Sequence, residues 1–513
     1  MIDVASLPNN VDALKEIIMA ERDRNSRLEH LIAAFKQVLF GRKSEKLDAD
    51  QFELSLEDIE VAIACVGAEK DTSNENQKQT DKKPRAANRG ALPKHLPRIE
   101  NVIKPESMAC ACGGDLHVIG EDVSERLDVI PAQFQVIVTR RPKYACRSCE
   151  EAGVNQAPAP AHLIHGGLPT EALVAHVLVS KYADHLPLYR QAQIYSRQGI
   201  NLDRSTLANW VGKAAFELKP VFECLVENLK TSTKLYMDET RAPVLDPGRH
   251  KTKTGYFWAL ARDDRPWSGE DPPGVAYCYA PGRSGTFAEK ILDGFSGILQ
   301  VDGYGGYNRL TKPNRPGRRN EPIQLAYCWA HARRKLYEVA KNSTAPIAQD
   351  GLNRIAELYA IEADIKGQSA ENRLAVRRER SVPCIDSFEL WLSEHQARVS
   401  GKSPLGEALR YIARFWKGLI LFLNDGRIEM DNNAVERTIR PIALNRKNAL
   451  FAGHDAGARN WGIIASLIET AKLNKIEPQA YLTATLQAIV TGHRQSQIEQ
   501  LLPWNFEAQI TYV

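Results

Sequence analysis

The sequence predicts a multidomain α+β protein whose mixed α/β core is interrupted by a helical insertion. Three observations carry that expectation. From 231 to 332, apolar stretches alternate with turn-rich connectors in the order β-β-β-α-β-(α)-β-α, the pattern of a mixed sheet with a hairpin meander and later crossovers. Residues 333–428 then read almost wholly as helix, as in IAELYAIEADI, SFELWLSEHQARV and LGEALRYIARFWKGLILFL. Finally, 513 residues are more than one hydrophobic core supports, so several domains are expected.

In chain order, residues 1–50 are expected to form an amphipathic helix. Leu14, Ile17, Leu28, Leu31, Phe35, Val38 and Leu39 recur at three- and four-residue spacing between charged faces, a stripe that needs a partner. A coiled coil between copies and packing on its own chain both satisfy it. The helix ends in FGRKSEKL, where its dipole favours positive charge. Residues 51–98 are a polar linker, basic in its second half, with almost no large apolar side chains from 68 onward. Such a stretch buries too little surface to fold alone.

The 99–155 module carries Cys110 and Cys112 as a C-x-C pair and Cys146 and Cys149 as C-x-x-C, with FQVIVTRRPKYAC alternating like a strand before the second pair. Four thiolates suit tetrahedral Zn²⁺, and a region this short needs the metal to hold it. Free cysteines are the other reading, since the first pair is one residue shorter than the usual knuckle. Arg140, Arg141 and Lys143 make the module basic, a candidate DNA-contacting surface. Residues 156–230 read as helices. Within them LPLYRQAQIYSRQGINLDRSTLANWVGKA is a helix, a turn at Gly199 and a second helix capped by Asp203 or Ser205, which fits a DNA-binding helix-turn-helix and plain tetrahelical packing alike.

In the first part of the core, 231–332, TKLYMDET is a strand expected to end at Asp238 and Glu239, and GILQVDGYGGY a strand ending at Asp302. IQLAYCWAHARRKLYEVA runs from strand into helix past Cys328 and His331. After the 333–428 insertion, 429–475 holds the final core helices. There, in MDNNAVERTIRPIALNRKN, Asn432 or Asn433 caps a short helix that Pro441 limits, because proline lacks the helical N–H. Glu436 sits in it among Arg437, Arg440, Arg446 and Lys447. Residues 476–513 form a helical tail closing on LLPWNF.

Composition narrows the partners. Hydrophobic residues at 43% and charged residues at 25% are ordinary for a globular protein, and a formal charge of +4 neither demands nor excludes nucleic acid, so charge distribution matters more than its sum. MIDVASLPNN lacks a secretory signal's basic and apolar regions, and no apolar run approaches the ~20 residues that span a bilayer. Nine cysteines, an odd number, fit a reducing, cytoplasmic setting.

Two neighbouring strands that end in carboxylates suggest a hard cation. Mg²⁺ or Mn²⁺ prefers carboxylate and water oxygens, and clustered carboxylates without a cation would have raised pKa values. A third carboxylate has to come from an element packed across the sheet, and the helix of Glu436 can supply it. The alternative for that helix is an exposed surface with ordinary ion pairs. Glu239, next to Asp238 on a strand, is expected to face the other way.

LYMDET, ILQVDGYGGYN, YCWAHARR and DNNAVERTIRPIALNRKN, in this order, resemble the bacterial insertion-sequence transposases of the IS-sixty-six family. So do the helix ending FGRKSEKL, the CGGDL…YACRSC module and the C-terminal PQAYL…LLPW, so the resemblance spans nearly the whole chain. It implies a DDE transposase with an RNase H-like catalytic core, in which Asp238, Asp302 and Glu436 are catalytic and hold Mg²⁺ (or Mn²⁺). It further implies cleavage of DNA at the element's ends and 3′-OH strand transfer into target DNA, in a nucleoid-associated protein that is at least dimeric and is encoded beside companion proteins. On that picture Arg440, Arg446 and Lys447 contact phosphates, or only neutralise Glu436 before DNA arrives. His331 approaches the scissile phosphate or is a packed structural histidine. The rival readings are a non-catalytic DNA-binding protein or transposase relic, and an RNase H-like nuclease without strand transfer.

Overall fold

The computed structural model describes Asn10, Arg98 and residues 133–144, 155–164, 167–246, 251–312, 323–342, 345–449 and 452–507. The N-terminal helix, the linker up to 97 and the candidate zinc ligands Cys110, Cys112, Cys146 and Cys149 lie outside the described residues. The chain divides into two compact units, 1–138 and 139–513, and the elements below belong to the second.

That unit begins with a short antiparallel ribbon of β1 (Lys143–Tyr144) and β2 (Asn155–Gln156). The strand expected along FQVIVTRRPKYAC is regular only at these last residues; among the described residues, 133–142 join no ladder. Alternation makes a strand possible, but pairing makes it real. Arg141 closes the ribbon, its Nε donating to Ala157 O at 2.9 Å while Gln156 Nε2 donates to Arg141 O at 2.8 Å.

Three helices follow: α1 (Glu171–Tyr182), α2 (Leu188–Arg197) and α3 (Arg204–Lys230). The turn between the last two uses Gly199 at φ +80°, a left-handed conformation that a side chain disfavours. The second helix is far longer than the helix-turn-helix pattern alone suggests. Leu207, Trp210, Val211, Ala214, Leu218, Val221, Leu225 and Leu229 form one buried stripe along it, so packing carries the helix past Pro220.

The sheet has five strands in the order β5-β4-β3-β6-β7. These are β3 (Lys234–Asp246), β4 (Lys251–Arg262), β5 (Gly274–Ala280), β6 (Ile298–Val301) and β7 (Gln324–Tyr327), with α4 (Gly285–Ile291) crossing between β5 and β6. β3, β4 and β5 form an antiparallel meander, whereas β3, β6 and β7 run parallel. β3 does not end at Asp238 and Glu239 as expected. It continues to Asp246 because its second half pairs with β4 as far as Lys251.

The insertion comprises α5 (Trp329–Asn342), α6 (Pro346–Asp364), α7 (Ala370–Val376), a π-helical turn at Arg377–Ser381, α8 (Val382–Arg398) and α9 (Pro404–Leu419). Trp329, Ile355, Phe388, Ile412 and Phe415 share one core with Ile298 of β6 and Ala326 of β7. The insertion is therefore an extension of the sheet's own core. Next comes α10 (Asn433–Ala449), which carries Glu436 and holds Pro441 within its length. Pro441 does not terminate it, because Val435, Thr438, Ile442 and Asn445 are buried on both sides of the proline. After α10 come α11 (Asp455–Leu473) and α12 (Pro478–Val490). α11 covers the outer edge of β5: Ser466 Oγ accepts from Tyr277 N at 2.8 Å, and Thr470 Oγ1 accepts from Val275 N at 3.1 Å. Those hydroxyls satisfy an edge that would otherwise be open to another strand.

Candidate active site

Parallel pairing sets two carboxylates side by side. β3 and β6 register Lys234 with Ile298 and Tyr236 with Gln300, an offset of 64 residues, and the same offset separates Asp238 from Asp302. Extending that register by two residues puts both on one face of the sheet. Asp238 lies within β3 opposite Ala259 of β4, and Asp302 stands just beyond β6. Tyr304 N donates to Asp302 Oδ1 at 2.8 Å. Gly303 between them has no room for a side chain, since a Cβ would lie 2.7 Å from Tyr411 Oη and 3.0 Å from the Phe415 ring.

Glu239 joins this pair instead of facing away. The carboxylates of Asp238, Glu239 and Asp302 offer oxygens that all lie within 4.8 Å of one another. Glu239 is held there by the hydroxyl of Tyr307, which donates to Oε2 at 2.7 Å, and by Arg283 Nε, which donates to Oε1 at 2.6 Å. Arg283 in turn rests 4.0 Å from the ring centre of Tyr304. Burial first, then the charges of Glu239, Asp302 and Glu436, push Asp238 well above the ordinary aspartate range against the opposing amide of Glu239. Burial likewise raises Glu239, opposed by Tyr307 and Arg283 and reinforced by Asp302. An all-oxygen donor set that resists ionising in isolation fits a hard divalent cation such as Mg²⁺ or Mn²⁺.

Glu436 stands next to this group without belonging to it. Its carboxylate gathers with Cys328 and His331, their ligand atoms all within 4.8 Å of one another, and His331 Nε2 lies 4.0 Å from Glu436 Oε1. The segment leading into α10 is tied to β6, which leads to Asp302, and to the junction between β7 and α5. Gln300 Oε1 accepts from Glu429 N at 3.0 Å, and its Nε2 donates to Glu429 O at 2.8 Å. Trp329 N donates to Met430 O at 2.8 Å, and Asn432 N donates to Cys328 Sγ at 3.3 Å. From the insertion, Arg377 donates to Phe422 O, Asp425 O and Ile428 O at 2.8–3.1 Å, and to Glu362 at 2.7 Å.

The basic residues divide by what they touch. Arg440 and Lys447 are exposed on α10. Arg446 is partly buried, and its Nη1 donates to Arg241 O, which braces α10 against β3. In the ribbon, Arg140 and Lys143 are exposed, while Arg141 is engaged as described above. Sequence reasoning missed Arg283, Tyr307 and Gln300. The GYGGYN run beside Asp302 signals a tight turn near the site, but the PGRSG loop of Arg283 carries no signal of its own.

A mixed sheet whose parallel–antiparallel junction holds clustered carboxylates, faced by a helix-borne glutamate, defines a mixed α/β protein organised around an acidic centre. The chain belongs to the IS66 transposase family: residues 166–460 match the family described as "Transposase IS66 family". Residues 108–150 match "zinc-finger binding domain of transposase IS66", 27–100 match "Transposase C of IS166 homeodomain", and 466–504 match "IS66 C-terminal element". Among curated relatives, "Uncharacterized protein y4qI" of Sinorhizobium fredii is 43% identical, covering 99% of this chain and 99% of its own. "Uncharacterized protein y4jD" of the same organism is 44% identical over 98% and 97%. The family makes the chain a transposase, an enzyme that acts on DNA, with a zinc-finger module among its parts. No helix among the described residues is long and apolar enough to cross a membrane.

Proposed function

We propose that the protein cleaves DNA at the ends of its own insertion sequence and joins the freed 3′-OH ends to target DNA, using Asp238, Asp302 and Glu436 as a DDE set on an RNase H-like core. The observation that carries this reading is the shared 64-residue offset, which puts Asp238 and Asp302 together at the junction of the meander and the parallel strands. Asp238 and Asp302 would hold Mg²⁺ or Mn²⁺ with Glu239 beside them, and Glu436 would complete the set. Bound there, such cations activate an attacking oxygen and stabilise the leaving one in phosphodiester displacement. In the first reaction a water oxygen bonds to phosphorus and the element's 3′ oxygen leaves, taking a proton to become a 3′-OH. In the second, that hydroxyl gives up its proton, bonds to a target phosphorus and displaces the target's 3′ oxygen.

The chain's own groups prepare the site. Tyr304 N fixes the Asp302 carboxylate, Tyr307 and Arg283 fix Glu239, and Gln300 ties the approach to α10 to β6. Arg440 and Lys447 form the rim assigned to DNA phosphates while Arg446 braces α10 against β3, His331 reaches toward the scissile phosphate, and Arg140, Arg141 and Lys143 add a second basic contact to DNA. Cys110, Cys112, Cys146 and Cys149 would hold a structural Zn²⁺. Handling two ends calls for at least two copies, and proteins encoded by the same element are candidate companions. The test is a strand-transfer assay on end-sequence DNA with Mg²⁺. Asp238→Asn, Asp302→Asn and Glu436→Gln should each abolish cleavage and joining while DNA binding persists. Full activity in any one removes that residue from the set, and cleavage without joining in the wild type would indicate a nuclease.

A further inference from the structure

We propose that Cys328, His331 and Glu436 form a second cation site, selective for a thiophilic divalent metal such as Zn²⁺, beside the all-oxygen group of Asp238, Glu239 and Asp302. The two sites differ in donor chemistry. Sulfur, imidazole nitrogen and one carboxylate suit Zn²⁺, whereas oxygen alone suits Mg²⁺. The geometry is close to closed, with all three ligand atoms within 4.8 Å and His331 Nε2 4.0 Å from Glu436 Oε1. Bond lengths of about 2.0–2.3 Å to Zn²⁺ require ligand atoms roughly 3.5 Å apart, so side-chain rotations that bring the atoms about 1 Å closer close the site.

The C-x-x-H spacing across the β7–α5 junction brings Cys328 and His331 together. Burial pushes the Cys328 thiol up to about 12, against the amides of Asn432, at 3.3 Å, and of His331, which donate to Sγ, so the thiol would give up its proton only on binding a metal. The thiol is only 2% exposed, so it is a ligand held inside the protein rather than a surface cysteine. On binding, the Cys328 proton passes to solvent and the sulfur bonds the metal. Because Glu436 serves both sites, an ion held here would withdraw it from the oxygen group; that consequence rests on the proposed DDE reading, whereas binding does not.

The experiment is a Co²⁺ titration of the full chain, stripped of metal, followed by thiolate-to-cobalt and d–d absorption without DNA. Wild type is expected to bind one Co²⁺ more than Cys328→Ser, with correspondingly stronger thiolate absorption. His331→Gln, at a partly exposed position that should preserve folding, is expected to weaken that Co²⁺ about tenfold or more. Asp302→Asn should leave it in place, and the cysteines of the zinc module, present in every variant, cancel in the difference. An unchanged Co²⁺ affinity and thiolate-to-cobalt spectrum in His331→Gln would overturn the proposal, whether or not Cys328→Ser folds. Since no DNA is present, failure of strand transfer cannot be mistaken for failure here.

Discussion

Asp238 binds its proton more tightly in the folded protein than in the unfolded chain, because folding buries it among Glu239, Asp302 and Glu436. A carboxyl whose pKa is raised on folding contributes stability that is full below its ordinary value of about 3.9 and lost as pH rises through the raised value. Asp238→Asn should therefore raise the metal-free Tm at pH 7–8 by a few degrees, and the gain should shrink toward zero near pH 4. Asparagine can still accept the 2.8 Å bond from Glu239 N. Calorimetry across pH checks this, and Mg²⁺ should reverse the order by stabilising the wild type more. A flat pH dependence of the difference would mean that the cluster is not electrostatically strained. Gly303 gives a steric counterpart: Gly303→Ala should cost about 1–3 kcal/mol by overpacking against Tyr411 and Phe415, read by urea melts. At this scale the two aspartates stand out in sequence because each directly follows an apolar run, although only Asp302 lies at a strand end and Asp238 sits inside β3. The place of Glu239 cannot, because strand alternation points it away and only the distant Tyr307 and Arg283 draw it in.

Elements are legible where a periodic stripe marks them and less so where tertiary contacts override local rules. Proline suggests a short helix around Glu436, yet burial of Ile442 and Asn445 carries α10 to Ala449. The least legible device is the π-helical turn. RLAVRRERS is rich in charge, yet Arg373 and Arg377, at helical spacing, are 1% and 0% exposed and converge on Glu362. Arg377 satisfies three carbonyls of the 422–428 segment as well. Arg377→Met should leave these carbonyls unserved and Glu362 with Arg373 as its remaining partner, and cost about 3–5 kcal/mol, as loss of one partner from a buried ion pair does. Arg377→Lys should recover little, since a single ammonium cannot span that fork. Denaturant melts decide; a loss below about 1 kcal/mol would show that water replaces the guanidinium.

The whole molecule was legible mainly as an order of segments. How the insertion shares its core with β6 and β7 could not be read from helical periodicity, which says that a face is buried but not against what. Charge at this scale makes a sharper statement. A formal +4 over 513 residues gives little long-range attraction, so DNA affinity has to come from local contacts whose count the salt dependence reports. Arg440 and Lys447 are exposed on the helix that carries Glu436, whereas Arg446 is spent on Arg241 O. Arg440→Ala and Lys447→Ala should each flatten the slope of log affinity against log salt by about 0.9, and the double variant by about 1.8. Arg446→Ala should instead lower Tm and leave most of the slope intact. The binding series is best run with the Asp302→Asn protein, so that cleavage does not deplete the DNA. A slope unmoved by the double variant would take α10 out of the DNA interface and leave its arginines as the surface ion-pair partners of an ordinary helix.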